Sequence, residues 1–496
     1  MNVKFITFFS LTFLLFNSAF LIPQVNDKSK ISAETEECLS CHESVTPGIV
    51  ADWKTSLHSQ TSFGNAILKP ELERRVSSTN VSKELNDVVV GCYECHTLNP
   101  NNHKDNFDHF GYKINIIVTP NDCSTCHKTE VAEYLPSKKA NALDNLQKNP
   151  LYHTLVNTTL GVKNVSEDKI SMTDATHFTK NETCYACHGT EVKVSGMRSV
   201  STDMGDIEIP NLTDWPNQGV GRINPDGSYG SCTACHPRHS FSIEIARKPQ
   251  TCGQCHLEPD VPAYNIYNES KHGNIFASIK EKWNWEKIPW KLGEDFTAPT
   301  CAACHNSLLT NSQGDIITKR THDFSSRLWV RIFGLIYSHP QPKSGKTYEI
   351  KNNDNLPLPT TFNKIPATSY LIDNNEQTAR KEDMMKICRS CHGNNWVTSH
   401  FEKMDNTLIE TDGMVASATN LMSYAWKENL ADNKNPFDED LEAMWIQQWL
   451  FYANSVRYSS AMAGPDYASF KNGWWYLTKN LNEMHQMIKI LEKIKK

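Results

Sequence analysis

Several features of other protein classes are missing from this sequence of 496 residues. The net charge is −6, with acidic and basic residues spread evenly, so there is neither a basic stripe for nucleic acid nor an acidic run typical of disorder. After residue 22, no segment approaches the roughly 18 uninterrupted apolar residues that a transmembrane helix requires. Strand signals are few. We therefore expect no nucleic-acid partner, and a mature chain that is soluble or tethered at one end.

Residues 1–33 have the layout of a secretory signal peptide. Lys4 precedes an apolar run that is followed by Asn17, Ser18 and Ala19. An uncleaved N-terminal anchor is the alternative, because residues 19–22 extend the apolar stretch toward a spanning length. In either case we expect export across the cytoplasmic membrane and a periplasmic or other extracytoplasmic location.

No cysteine lies outside one short motif. All 16 cysteines belong to copies of Cys-x-x-Cys-His, in which two thiols add to the haem vinyl groups and the histidine is placed beneath the iron. A disulfide framework gives no reason for the histidine, and a zinc ribbon requires pairs of Cys-x-x-Cys without it. We therefore expect eight covalently bound haem c groups. In chain order, the motif residues are Cys38, Cys41 and His42; Cys92, Cys95 and His96; Cys123, Cys126 and His127; Cys184, Cys187 and His188; Cys232, Cys235 and His236; Cys252, Cys255 and His256; Cys301, Cys304 and His305; and Cys388, Cys391 and His392.

The spacing of these motifs predicts that the protein wraps its cofactors, with the porphyrins forming much of the apolar interior. This suits a hydrophobic content of only 39%. We expect a mainly α, strand-poor multihaem cytochrome c packed around eight covalent haems, over residues 34–435. The composition of segments 98–107, 191–230 and 341–366 predicts loops. Residues 128–146 are predicted to be helical.

Residues 436–496 are free of cysteine and rich in aromatic residues. Pro436 and Asp438 make a plausible helix start, apolar residues follow at helical spacing, and Gly464-Pro465 ends the helix. A second helix can start at about Asp466. This C-terminal helical hairpin either covers the haem core or forms a subunit interface.

Eleven histidines remain after the motif histidines are assigned as proximal ligands. A haem that only carries electrons is closed by a second strong ligand, whereas a haem that performs chemistry keeps that position open. Local context favours five spare histidines as ligands: His58, His239, His272, His400, and His322, which opens a predicted helix in THDFSSRLW. The early haems have four competing candidates, His103, His109, His153 and His177, of which His109 and His177 are assigned as ligands. His339, beside Pro340, and His485 are expected to play no part.

The stretch GSCTACHPRHSFSIEIARKPQTCGQCHLEPDVPAYNIYNESKHG at 230–273 resembles the octahaem hydroxylamine oxidoreductase family, which includes hydrazine dehydrogenases and related reductive enzymes. CLSCHESVTPGIVADWKTSLH, CYACHGT, THDFSSRLW, CRSCHGNNWVTSHF and RYSSAMAGPDYASF add to the resemblance. All eight motifs end in histidine. This weighs against the octahaem and pentahaem nitrite reductases, whose catalytic motif typically carries lysine.

The resemblance implies a five-coordinate catalytic haem on Cys184, Cys187 and His188, with seven bis-histidine haems relaying electrons. It also implies an Asp-His pair over the catalytic iron, from the loop after the sixth motif. Asp260 matches the aspartate, but Val261 stands where the family has histidine.

The family is typically trimeric, and in its oxidative members a C-terminal tyrosine of a neighbouring subunit is cross-linked to the catalytic porphyrin. Tyr467 is the nearest match to that tyrosine, and Tyr458 is the second candidate. A further departure follows the third motif, where the family often has Ser-Lys-His and this chain has Ser137-Lys138-Lys139. His153 or another early histidine can substitute, or Lys139 can bind after losing its proton. We favour a histidine, because neutral imidazole is available near pH 7.

The function that follows is redox conversion of small nitrogen compounds (hydroxylamine, nitric oxide or nitrite) at one open iron. Asp260 would move protons, and electrons would pass singly to a redox partner such as a small cytochrome or a quinone-linked multihaem protein. Because Val261 removes the natural base, the reductive direction is favoured over hydroxylamine oxidation. The alternatives are an electron-transfer protein with every haem six-coordinate, and an octahaem reductase of sulfur oxyanions.

Overall fold

The computed structural model describes residues 29–167, 169–333, 335–462 and 469–496. Most of the predicted signal segment lies outside these residues, and so does Tyr467. The described chain is rich in helices and has short strands, which confirms the mainly α, strand-poor fold class. No helix within the described ranges is both long and apolar enough to span a membrane.

Most helices are short and lie near the haem motifs. The α-helices are Ala33–Val45, Pro47–Thr55, Phe63–Ile67, Lys83–Asn86, Cys92–His96, Pro120–Cys123, Lys128–Tyr134, Ala142–Gln147, Pro150–Leu160, His177–Asn181, Cys184–His188, Ile243–Arg247, Pro249–Gly253, Ala263–Glu269, Lys271–Ile279, Cys301–His305, Asn374–Arg389, Asn394–Lys427, Asp440–Ile446, Ala453–Met462 and Trp475–Lys495. Short 3-10 helices are Glu71–Glu73, Cys232–Ala234, Lys280–Lys282 and Thr347–Glu349. Gln447–Tyr452 and Phe470–Trp474 are π-helical.

The motifs that coincide with a helical turn show why helices suit them. Cys92–His96, Cys184–His188 and Cys301–His305 each form one five-residue helix. Residues three and four apart lie on the same face of a helix, so both thiols and the imidazole point to the same side. One turn thus presents all three groups that a covalent haem requires.

In the described residues, each strand pairs with a strand next to it in chain order. Antiparallel pairs join Asn106–His109 with Tyr112–Asn115, Val162–Ser166 with Lys169–Thr173, Lys193–Thr202 with Gly205–Thr213, and Val330–Arg331 with His339–Pro340. Trp290–Lys291, Leu309–Thr310 and Ile316–Thr318 form a three-stranded sheet of mixed direction.

The predicted loop at 191–230 is wrong over its first half, which contains the longest hairpin described. A two-residue turn at 203–204 joins its strands, and Gly205 has a φ of +115°. Both strands are largely exposed, so they lack the buried alternation by which a strand is recognised in a sequence.

Two helix predictions need correction. Residues 128–146 form two helices rather than one, because the chain turns at 135–141 after Tyr134, next to Pro136. THDFSSRLW is a series of turns. Its Asp323 side chain accepts from Ser325 N at 2.9 Å, and Thr321 Oγ1 accepts from Asp323 N at 3.0 Å. Such local bonds compete with helix formation.

The largest apolar cluster lies at the C-terminal end of the chain. The Asn394–Lys427 helix buries residues at three- and four-residue spacing, including Val415 and Met422. It packs against Ala453–Met462 and Trp475–Lys495, so residues 436–496 share a core with the preceding helix. The boundary at residue 435 stays a prediction.

A buried charge network fixes the start of the third motif. His103 Nδ1 lies 3.1 Å from Asp105, and its Nε2 lies 3.2 Å from Asp122, one residue before Cys123. Burial alone would lower the pKa of His103, but hydrogen bonds to Asp105 and Asp122 raise it to about 10. Both ring nitrogens are occupied, so His103 is a structural cation and not a haem ligand.

We predict that His103→Ala destabilises the holoprotein by about 3–5 kcal/mol, because two buried carboxylates lose their cation. In the unmodified protein the folded-state pKa is raised, so this stabilisation is complete below pH 6.5 and is lost as the pH rises through about 10. Thermal unfolding between these pH values measures both effects. The exposed His153→Ala is the control, and equal unfolding temperatures for the two variants would contradict the prediction.

Candidate haem sites and catalytic pocket

Three pairs of histidine rings face each other at the separation that a doubly ligated haem requires. Two imidazole nitrogens, each about 2 Å from one metal ion, place their ring centres about 6 Å apart. The centres lie 6.1 to 6.2 Å apart in the pairs His42 with His109, His58 with His127, and His272 with His392. Each pair joins a motif histidine to a spare one, so these residues fit haem.

Two further pairs interact through their charges. Burial and then the neighbouring His96 lower the pKa of His239. Burial lowers the pKa of His322 to about 4, and His236 is the next cause. Five of the predicted distal ligands are thus brought near motif histidines. Their ligation stays a prediction that this placement supports.

Backbone carbonyls orient the motif imidazoles. His96 Nδ1 lies 2.7 Å from Asn115 O, and His188 Nδ1 lies 3.3 Å from Ala142 O. An Nδ1–H that donates to a carbonyl leaves Nε2 free to bind a metal, which is the usual arrangement of histidine ligands. His109 ends a strand at a tight turn whose Phe110 and Gly111 both have positive φ, and that hairpin carries its ring to His42.

His177 and His400 are placed differently. The His177 side chain is 70% exposed and lies 3.5 Å from Asp214, with no motif histidine against it among the described residues. His400 stacks on Trp396, which stacks on the motif residue His392 at 4.1 Å. His305 has no spare histidine among the groups that perturb it. His400 instead lies near His392, whose charge, after burial, lowers its pKa. The ligation of His400 stays a prediction, whereas the exposed side chain of His177 argues against ligation.

Thiols from different motifs lie against one another, which gives the order of the motifs in space. In four pairs of thiols, a hydrogen bond between the two is the largest cause that raises the pKa of one of them. The pairs, with the thiol of raised pKa first, are Cys38 with Cys92, Cys123 with Cys232, Cys187 with Cys255, and Cys301 with Cys252. After burial, nearby thiols also raise the pKa of three others: Cys95 by Cys126, Cys235 by Cys252, and Cys304 by Cys388. The motifs therefore run first, second, third, fifth, sixth, seventh and eighth. The fourth branches from the sixth.

The alternative uses of these cysteines find no support. All 16 thiols are free of disulfide bonds. Within the described part of the chain, which contains every cysteine and histidine, no three His, Cys, Asp or Glu side chains are grouped to hold a single metal ion.

The fourth motif is held by the segment that follows the long hairpin. Carbonyls at the end of the Cys184–His188 helix accept hydrogen bonds of 3.0–3.1 Å from residues 217–221. Gly189 follows with a φ of +104°, and a Cβ there would lie 2.3 Å from Arg222 N. Only glycine permits this close approach, which satisfies the helix carbonyls and fixes His188.

The charges around His188 are mostly positive. Burial lowers the pKa of His188 to about 4, the hydrogen bond to Ala142 opposes this, and Lys139 and Arg331 lower it further. Asp260 is a carboxylate close to the fourth motif. After burial, its charge is the next cause that raises the pKa of the Cys184 thiol. Burial also raises the pKa of Asp260 itself. No spare histidine is among the groups that perturb His188.

The Ala453–Met462 helix organises this pocket. Its Asn454 donates to Asp260 O at 3.2 Å, and its Arg457 donates to Asp412. Burial raises the pKa of Tyr458, with Arg331 opposing and Asp260 adding to the effect. Tyr458, the second candidate in the sequence, therefore lies near Asp260 within one chain. The role of Tyr467 stays a prediction outside the described residues.

His339 is a pocket residue that the sequence did not indicate. Its Nδ1 lies 2.7 Å from Pro340 O, while its buried Nε2 has no hydrogen-bond partner among the described residues. It is paired with Arg331 across a two-stranded ladder, so both side chains lie on one face. Asp412 accepts from Ser338 Oγ at 2.5 Å and holds the residue before it. Only the fold brings this histidine to Arg331, so no sequence signal could have found it.

The side chain of Lys139 points to the histidine of the sixth motif rather than into solvent. Its Nζ lies 2.8 Å from Nε2 of His256, and its charge is the first cause that lowers the pKa of His256. His153, the histidine suggested as a substitute at this position, is exposed on the Pro150–Leu160 helix.

The chain is similar to known multihaem proteins. A family model described as seven times multi-haem cytochrome CxxCH matches residues 226–327, and one described as cytochrome c554 and c-prime matches residues 122–207. A solved structure described as a hypothetical multiheme protein is 43% identical, with a TM-score of 0.87, and the match covers 94% of this chain and 97% of that chain.

Two more distant relatives come from Kuenenia stuttgartiensis. A probable nitrite reductase-hydroxylamine oxidoreductase fusion protein is 24% identical over 419 residues, which cover 79% of this chain and 38% of the fusion protein. The chain thus spans well under half of that relative. A reducing HAO-like protein complex has the same fold, with a TM-score of 0.62 and 18% identity over 93% of this chain and 86% of that chain.

We predict that His109→Ala converts one low-spin haem of the oxidised protein to a high-spin haem that binds cyanide, because His42 loses the ring that faces it. His177→Ala is the matched comparison and should leave the spectrum unchanged. Electron paramagnetic resonance measures both. A high-spin signal from His177→Ala, or none from His109→Ala, would reverse the two assignments.

Proposed function

Because the chain belongs to the multihaem cytochromes c of the hydroxylamine oxidoreductase-like family, with covalently bound haem c, we propose that it reduces small nitrogen compounds, nitrite and hydroxylamine above all. The site is the haem of the fourth motif, attached to Cys184 and Cys187 and ligated by His188. The proposal includes eight haems, one for each motif, with the sixth position of the fourth-motif haem left to the substrate.

The observation that carries this proposal is the set of groups around His188. Five motif histidines have a spare histidine near them, whereas the groups that perturb His188 are Lys139, Arg331 and the carbonyl of Ala142. A pocket that contains the guanidinium of Arg331 and no sixth protein ligand favours a small anion such as nitrite. Hydroxylamine is neutral and gains less from these charges.

When bound, the haem supplies the iron that holds substrate nitrogen and the electrons that reduce it. The spatial order of the motifs supports a route for those electrons along the array to the sixth motif, whose thiol Cys255 touches Cys187 of the fourth. One-electron carriers in contact can deliver many electrons in sequence. Reduction of nitrite to ammonium takes six electrons and eight protons and releases two waters.

Asp260 is suited to deliver protons. Burial raises its pKa, so the carboxyl holds its proton at higher pH than an exposed aspartate does. Asn454 fixes its backbone, which keeps the group near the fourth motif. A positioned acid of this kind typically contributes about 10²–10⁴-fold to a rate.

We assign to His339, which lies beside Arg331, the part of the imidazole that Val261 lacks. Burial and then Arg331 lower its pKa to about 3, so the ring is neutral and its Nε2 accepts a hydrogen bond rather than donating a proton. It can orient the N–H or O–H groups of a partly reduced substrate. Arg331 beside it can bind nitrite oxygens.

Assembly and location complete the proposal. We expect a homotrimer that receives electrons from a small cytochrome or a quinone-linked multihaem protein outside the cytoplasmic membrane. The Trp475–Lys495 helix leaves Trp475, Ile490 and Ile494 more than half exposed, which suits a subunit interface.

The direct test compares reaction directions in the purified holoprotein. With reduced viologen as donor, nitrite and hydroxylamine should be consumed faster than hydroxylamine is oxidised with an artificial acceptor. Arg331→Gln should raise the KM for nitrite by roughly 10–100-fold, the value of a charge-assisted hydrogen bond, and leave the KM for hydroxylamine nearly unchanged.

Arg198→Gln, on the exposed hairpin, is the control for the loss of a positive charge. Rapid hydroxylamine oxidation without nitrite reduction would overturn the direction. If the protein turns over neither substrate in either direction and every haem is low-spin, its function is electron transfer and not catalysis.

We predict that Asp260→Asn lowers kcat for nitrite by about 10²–10⁴-fold without changing the haem spectrum. The native rate should fall as the pH rises through the elevated pKa of Asp260, because the acid loses its proton, and the variant should lose that limb. Glu258→Gln, an exposed carboxylate on the same loop, is the matched control. An unchanged pH profile in Asp260→Asn would exclude Asp260 as the acid.

A further inference from the structure

The amine of Lys139 lies against the histidine of the sixth motif. Nζ lies 2.8 Å from Nε2 of His256, and Nε2 is the nitrogen that a motif histidine offers to iron. At five other motifs, the group near the motif histidine is another histidine. At the sixth motif, the group closest to His256 Nε2 is the amine.

The loop that carries Lys139 is firmly held. Ser137 N donates to Tyr134 O at 2.9 Å, and Asn141 Nδ2 donates to Ser137 O at 2.8 Å. Ala140, the next residue after Lys139, is fully buried. Ala142 N donates to the carbonyl of Lys139 itself at 3.2 Å. The backbone at the lysine is thus held by bonds that do not depend on its own side chain.

The Lys139 side chain has no acidic partner that would hold it elsewhere. Among the described residues no carboxylate lies within ion-pair distance of its Nζ, and the ring of Phe324 lies 5.7 Å from Nζ to the ring centre. No ion pair therefore competes with a metal ion for this amine. Neither nitrogen of the pair has an acid to bind.

The reach of the side chain is sufficient. Two nitrogens that share one metal ion lie about 4 Å apart, so Nζ must withdraw by about 1 Å from its present position. The four-carbon stem of lysine allows such a shift without movement of the backbone.

We propose that Lys139 is the sixth ligand of the haem attached to Cys252 and Cys255, which is therefore ligated by His256 and Lys139. On binding, the ammonium releases one proton to solvent and its nitrogen lone pair forms the bond to iron. The oxidation state of the iron does not change. The sequence alone favoured a histidine at this position, with Lys139 as the alternative.

The consequence is a distinct haem at the junction of the array. Thiols of the sixth motif touch the fourth motif through Cys255 and the seventh through Cys252. Axial ligand identity sets the reduction potential of a haem. An amine ligand at this point therefore gives the carrier next to the fourth-motif haem a potential different from that of a bis-histidine haem. The proposal is independent of the substrate reduced there.

The test uses near-infrared magnetic circular dichroism and electron paramagnetic resonance of the oxidised holoprotein. The native protein should show one histidine–amine charge-transfer band besides the bis-histidine bands. Lys139→His should remove it and keep every low-spin haem, with one reduction potential shifted in a spectroelectrochemical titration. Lys139→Ala should convert one additional haem to high spin.

Lys148→Ala is the control and should change none of these signals. It removes an ammonium that pairs with Asp144, four residues earlier in the chain. Absence of the histidine–amine band in the native protein would overturn the proposal. A Lys139→Ala spectrum identical to the native one would also overturn it. Should Lys139→Ala fail to fold, the native band and its loss in Lys139→His still decide the question.

Discussion

Opposed imidazole rings, about 6 Å apart as two ligands of one metal ion are, form the arrangement on which the rest of this structure depends. Each such pair joins segments that are distant in sequence, as His272 and His392 do, and each needs both rings correctly turned. Short helices and hairpins suffice because their task is to aim one side chain. The apolar interior that longer elements would supply comes instead from the cofactors, which accounts for the low hydrophobic content.

The largest apolar core among the described residues, between Asn394–Lys427 and the C-terminal helices, positions residues of the candidate pocket. The buried pair Arg457–Asp412 extends through Ser338 to His339, while Asn454 holds Asp260. Buried bonds of this kind hold the groups that they join in one geometry. The C-terminal segment therefore sets the pocket, whether or not it also joins subunits.

The sequence revealed the features that depend on local spacing. Cys-x-x-Cys-His specifies three groups on one helical turn. The context ADWKTSLH singled out His58, which the structure places against His127, and its ligation stays a prediction. His339 and Arg331 could not be found in this way, since a ladder of two residues brings them together. The exposed hairpin at 193–213 has no buried alternation. In THDFSSRLW, Asp323 and Thr321 bond to the backbone locally and prevent the predicted helix.

The central claim is that the haem of the fourth motif keeps a position that substrate can occupy. Electron paramagnetic resonance of the oxidised native protein, titrated with nitrite, tests it most directly. The account predicts one high-spin haem whose signal is lost in proportion to bound nitrite, while the low-spin signals of the other haems stay constant. A spectrum that is low-spin throughout and unaffected by nitrite would contradict it.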